Sequence, residues 1–215
     1  MLTRPRDPVI SRAIRIGSTW CAGRRVDGGV AFGHGVRVAR VVDTFWPHAP
    51  AIWYATALVH DGPEFVDATE VTRVLTAELG DEVCRYVWGL WDEHEVYEVC
   101  DRQPELADTR VPQLATDTPA LLRIMAADQV VSFVNLQRRL RRARDQGTAE
   151  ADFWGVRENL LARMDYFRRF HTAARPHVPA AMFDHWGHHL ALVPALGQPP
   201  STGELNSSAG GERSN

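Results

Sequence analysis

Apolar residues recur along this chain at intervals of three and four, and no segment alternates convincingly, so the pattern predicts helices and no sheet. Residues near 8–22 form the first helical segment, followed by a turn-rich stretch, GRRVDGGVAFG. A second helix is expected from about His34 to Phe45. His34, Val38, Val41 and Phe45 mark its apolar face, and Arg37, Arg40 and Thr44 its polar one. Pro50 suits the first position of a third helix. That segment, AIWYATALVHD, is apolar nearly all round, as a central buried helix would be, and Gly62-Pro63 stops it directly after His60-Asp61.

A fourth helix begins at Asp67, where Asp67 and Glu70 have capping-box spacing, and ends at Gly80. Asp81 caps a fifth, with Val83, Val87, Leu90 and Trp91 on its apolar face. Residues about 100–118 carry Pro104 and Pro112 in a polar stretch bounded by Pro119 and read as a long loop. A long helix is expected at roughly 119–147, and two more near 150–173 and 178–194. The expected architecture is one all-α bundle over residues 1–196. Residues 197–215, rich in Gly, Ser and Pro, are expected to form a disordered tail.

Composition narrows the function classes. With 45% hydrophobic residues in 215, the chain can bury a substantial core. A net charge of −3 gives no reason to expect nucleic acid or an acidic membrane as partner. All basic residues are arginine, so any phosphate must be gripped by arginine, histidine, metal or backbone. Three widely spaced cysteines without a C-x-x-C, no signal peptide and no apolar run of membrane-spanning length make a cytoplasmic protein the expectation. Nothing in the sequence sets an oligomeric state.

The candidate chemistry begins at His60-Asp61. An aspartate in the last turn of a helix faces the negative end of the macrodipole, at a cost of about 0.3–1 kcal/mol. After an apolar helix it also meets a desolvation penalty unless a cation compensates. Asp128 poses the same problem, sharing a helix face with Leu121, Met125, Ser132 and Asn135. His34 projects from the apolar side of its own helix. Taken singly, His34 reads as a core histidine and Asp128 as a carboxylate paired with an arginine. Together, two imidazoles and two carboxylates on inward-facing helices form an N/O site suited to Mn, Fe or Zn. Four protein ligands on a six-coordinate ion leave positions for water and substrate.

These segments resemble the HD superfamily of metal-dependent phosphohydrolases, and most closely the hydrolase domain of the RelA/SpoT-type (p)ppGpp 3'-pyrophosphohydrolases. RRVDGGVAFGHGVRVA is similar to that family's R-K-x-G-x-P-Y-x-x-H-P-x-x-V-A, and ATALVHDGPEF to its A-A-L-L-H-D-x-x-E-D. AADQVVSF stands where its L-A-D-x-x-x-N lies. The resemblance implies an HD-type helical bundle around one divalent metal, with Mn²⁺ expected, held by His34, His60, Asp61 and Asp128. It further implies Arg25 against the guanine base, Glu64 handling the proton of the attacking water, and a phosphorylated nucleotide as the small-molecule partner.

The sequence also departs from the family pattern. Its second acidic residue is Phe65 here, its asparagine is Ser132, its lysine before the last aspartate is Met125, its second basic residue is Val26, and its proline is Gly35. Ser132 therefore stands at a substrate-contact position with altered chemistry. Three functions follow as expectations: a (p)ppGpp-type hydrolase, a hydrolase of another phosphorylated nucleotide, or a catalytically weak metal- and nucleotide-binding sensor. Outside the constellation, His185, His188 and His189 have the spacing of one helix face but read as ordinary packing. The arginine run at 138–144 reads as a solvated face, and Trp20, near Arg25, as a candidate to flank a base.

Overall fold

The computed structural model describes residues 7–26, 29–97 and 99–194 and is an all-α bundle of eleven helices, with one small hairpin among the described residues. The expected tail at 197–215 lies outside them. Helix α1 (Pro8–Trp20) opens with Asp7 as its cap, the carboxylate accepting from the Val9 amide at 2.8 Å. Two-residue strands β1 (Arg25–Val26) and β2 (Gly29–Val30) pair antiparallel in the stretch expected to be turn-rich. Helix α2 (Ala31–Phe45) begins a turn earlier than His34, so His34 sits inside a formed helix.

The centre is α3 (Ala51–Val59), buried from Trp53 to Val59 as its all-round apolar sequence requires. It runs between α1 and α2, and two glycines permit the approach. A Cβ on Gly35 of α2 would meet the Ala57 carbonyl oxygen at 2.8 Å, and one on Gly17 of α1 would meet that of Leu58 at 2.5 Å. Gly35 is thus the residue that lets α2 lie directly on α3, beside His34. The expectation for His60-Asp61 needs a correction. The helix stops at Val59, His60 is its C-cap, and Asp61 precedes a 3-10 turn, Gly62–Glu64. Gly62 is covered by the Trp20 ring, 2.6 Å from where its Cβ would stand.

Helices α4 (Ala68–Leu79) and α5 (Asp81–Tyr97) form a hairpin at Gly80, whose φ of 91° suits glycine. Asp67 caps α4 through the Thr69 amide, but Glu70 chelates Arg73 rather than folding back, so the capping box is only half made. The expected loop at 100–118 is largely a helix, α6 (Leu106–Asp117), with Pro112 inside it. An interior proline costs about 3 kcal/mol. Burial of Ala107, Val111 and Leu114 offsets it, as does Arg110, which reaches the buried Glu93 on α5 with its Nε at 2.5 Å.

Helix α7 (Pro119–Asp145) matches expectation and buries most of its first two-thirds. The single helix expected at 150–173 is three: α8 (Glu150–Gly155), α9 (Glu158–Ala162) and α10 (Met164–Ala174). The first break is held by Arg157, whose guanidinium turns back onto the Phe153 carbonyl and lies 3.7 Å from that residue's ring centroid. The last helix, α11 (Ala180–Ala191), packs on α7 and α10. No helix among the described residues is long and apolar enough to cross a membrane.

The glycine contact gives a direct check. Gly35→Ala is expected to lose about 1–3 kcal/mol in urea unfolding, because backbone carbonyls cannot yield as a flexible side chain would. Gly155→Ala, whose Cβ meets nothing within 4 Å, serves as control. Equal midpoints for the two variants would refute the close-packing role.

Candidate metal centre

Three helix segments deliver the site. His34 comes from the second turn of α2, His60 from the cap of α3, and Asp128 from the third turn of α7. One potential ligand atom from each lies within 4.8 Å of the others, so the three can hold a metal ion. The His34 Nε2 stands 2.7 Å from Asp128 Oδ1, and the His60 Nε2 stands 3.8 Å from the same oxygen. Asp61 joins through His60, its Oδ1 3.1 Å from Nε2, without belonging to that tight group of three. Both histidines and Asp61 are buried, whereas the Asp128 side chain is 24% exposed, so the cluster opens to solvent on the Asp128 side.

The donor set fits a divalent ion. His60 donates from Nδ1 to the Ala57 carbonyl at 2.9 Å, which fixes its ring and turns Nε2 toward the carboxylates. A backbone acceptor behind the ring is the usual support for a ligating imidazole. The His34 Nδ1 is buried without a hydrogen-bond partner among the described residues, and Asp128 and the His60 ring, centroid to centroid 5.3 Å, orient the ring. Two imidazole nitrogens with carboxylate oxygens suit Mn, Fe or Zn.

Electrostatics identify the same position as cation-seeking. Burial alone would lower the His60 value, but the Asp61 carboxylate and the hydrogen-bonded Asp128 override it and raise it to about 10. Burial works to raise Asp128, and hydrogen bonds from His34 and His60 hold it well below the usual carboxylate range instead. A metal ion and the His60 proton therefore compete for one place. Glu64 follows on the 3-10 turn, its value raised by burial and then by the neighbouring Asp61. Cys21 is a neutral thiol on this side, pushed up to about 11 by burial and by the Asp61 and Glu64 carboxylates.

A cavity of about 350 Å³ adjoins Asp128, within the size range of small-molecule sites. Ser132, one turn beyond Asp128, lines it with Tyr97, Phe133, Phe167, Arg139 and Arg157. Arg25 is exposed on the hairpin and is not among the lining residues, while Gly29 of the same hairpin lines a neighbouring cavity. Trp20 lies against Gly62. Arg139 and Arg157 were missed as site residues, although a signal existed. Arg139 stands eleven residues after Asp128, three helical turns, and so on the face that already held Asp128, Ser132 and Asn135. His185, His188 and His189 form no metal-holding group among the described residues. The chain matches no protein family, and no curated protein matches it either.

The pH dependence of the metal-free protein follows in sign. His60, raised above its ordinary 6.5, stabilises fully below about pH 6.5 and loses that contribution as pH rises toward about 10. Asp128, depressed below 3.8, contributes above that pH and loses its contribution on acidification. In chelator, the melting temperature is expected to fall between pH 6.5 and 9.5, and His60→Gln to remove that fall. Parallel profiles for the two proteins would contradict the assignment.

Proposed function

We propose that this protein is an HD-type, Mn²⁺-dependent phosphohydrolase acting on a phosphorylated nucleotide, with a guanosine 3'-pyrophosphate of the (p)ppGpp type as the favoured substrate. The observation that carries the reading is the His34–His60–Asp128 cluster at the edge of a cavity that also presents arginine and aromatic side chains. The resemblance of the His34, His60-Asp61 and Asp128 segments to the RelA/SpoT-type hydrolases supplies the substrate class and the cytoplasmic setting.

His34, His60, Asp61 and Asp128 would hold the ion. A divalent ion so bound supplies Lewis acidity toward a phosphate oxygen and lowers the pKa of coordinated water. The remaining roles belong to the chain. Glu64, with its raised affinity for a proton, suits taking one from the attacking water and passing it to the leaving oxygen. Arg139 and Arg157 meet phosphate charge at the far side of the cavity. Tyr97, Phe133 and Phe167 give an apolar wall for a planar base. A metal- and nucleotide-binding sensor is favoured by one feature, the half-buried Phe65 where a second acidic residue would assist proton transfer.

Purified protein with Mn²⁺ is expected to release pyrophosphate from ppGpp in preference to a panel of nucleoside phosphates, with His60→Ala and Asp61→Ala inactive. Turnover only of another nucleotide would discard the guanosine assignment. Metal and nucleotide binding with no turnover would establish the sensor instead. Glu64→Gln is expected to lose about 100-fold in kcat with Mn²⁺ affinity retained, as read by Mn²⁺ titration beside initial rates. A wild-type rate in that variant would remove Glu64 from the chemistry.

A further inference from the structure

The acidic groups beside the cluster stand on the least regular backbone around it. His34 and Asp128 lie within helices α2 and α7, and His60 caps α3. Asp61 and Glu64 instead follow the end of α3 on a single 3-10 turn, Gly62–Glu64. Hydrogen-bond geometry in a 3-10 turn is poorer than in an α-helix, so one isolated turn depends on what packs against it. Three backbone bonds close this one. The Glu64 amide donates to the Asp61 carbonyl at 3.1 Å, and the Phe65 and Val66 amides both donate to the Gly62 carbonyl, at 3.0 and 3.1 Å. Gly62 is the pivot of the segment.

That pivot is gripped from outside by Trp20, the last residue of α1. A Cβ added to Gly62 would stand 2.6 Å from both Cε3 and Cζ3 of the indole, and its three nearest heavy atoms all belong to that ring. The ring therefore occupies the space that a side chain at position 62 would fill. Gly62 is buried and Trp20 half-buried. The turn of α1 that carries Trp20 is itself fixed to α3. Gly17 lies against the Leu58 carbonyl, and the Cys21 amide closes the helix onto the Gly17 carbonyl at 3.0 Å. The Cys21 thiol feels both the Asp61 and the Glu64 carboxylates. From Gly17 to Cys21, α1 accompanies the chain from Leu58 to Glu64.

Resting on the metal reading above, we infer that Trp20 is a positioning residue for the metal centre: by covering Gly62 it fixes the turn that brings Asp61 to the ion and Glu64 to the attacking water. Asp61 is the sensitive member. Its carboxylate stands 3.1 Å from the His60 Nε2 but outside the tight group formed by His34, His60 and Asp128. The placement of the turn therefore decides whether Asp61 reaches the ion. Residues that orient ligands without touching the metal are worth about 10–100-fold in metal affinity. A flat aromatic face suits this contact, because it can lie on a bare Cα that a branched aliphatic side chain covers less completely. This role is distinct from flanking a base, which the nearness of Trp20 to Arg25 in the chain suggests.

Two variants of the full chain separate positioning from ordinary packing: Trp20→Leu keeps apolar bulk and loses the flat face, and Trp20→Phe keeps both. Mn²⁺ affinity is read by calorimetric titration, and amide hydrogen exchange is read in chelator. Trp20→Leu is expected to bind Mn²⁺ about tenfold or more weakly. Its Glu64, Phe65 and Val66 amides are expected to exchange about tenfold faster, with those of Val130 and Val131 on α7 unchanged. Trp20→Phe is expected to restore both readouts to near wild type. Unchanged Mn²⁺ affinity in Trp20→Leu overturns the role, whatever the exchange shows. Equal impairment in both variants, or faster exchange on α7 as well as the turn, also overturns it and leaves Trp20 a packing residue. Absence of Mn²⁺ binding by the wild type discards the metal reading separately, and the exchange pattern alone then decides whether Trp20 holds the turn.

Discussion

Two carboxylates brought together beside two imidazoles inside a helical protein create a demand for positive charge, and much of the geometry around α3 serves to concentrate that demand. Asp61 and Asp128 both approach the His60 Nε2, while the Ala57 carbonyl holds the opposite ring nitrogen. In the absence of metal a proton on His60 meets the demand; a divalent cation is the other species of suitable charge that this N/O donor set accepts. The arrangement depends on α2 lying on α3 without a side chain between them, which Gly35 makes possible.

Two different sets of groups adjoin that cluster. Toward α1 and the 3-10 turn lie the carboxylates of Asp61 and Glu64 and the neutral Cys21 thiol. Toward the C-terminal half of α7 lie the aromatic wall and then the arginines. The proposed roles of Glu64 and Arg139 thus fall to different elements, the 3-10 turn and α7. The buried Glu93 pairs with the partly exposed Arg110 and ties α5 to α6.

The fold was legible wherever helical periodicity was uninterrupted. Helices α1, α3, α4, α5 and α7 lie close to the positions read from the apolar pattern, and His34, His60 and Asp128 meet as their inward faces suggested. Proline misled at α6, because tertiary burial and the Glu93 contact outweigh a lost backbone hydrogen bond that local reasoning treats as decisive. The breaks in 150–174 depend on Arg157 bonding back to Phe153, a contact with no periodic signature. Arg138, Arg141, Arg142 and Arg144 of the arginine run are exposed, as a solvated face requires, while the half-buried Arg139 of the same run also lines the cavity beside Asp128. Extending the Asp128 face by three turns would have placed Arg139 beside the site.

The most direct test of the metal centre is anomalous diffraction at the manganese edge from crystals of the Mn²⁺-loaded protein. One peak is expected within about 2.0–2.4 Å of His34, His60 and Asp128 side-chain atoms, with Asp61 drawn in as a further ligand. Manganese bound elsewhere, with His60 still bridging Asp61 and Asp128 as an imidazolium, would contradict it.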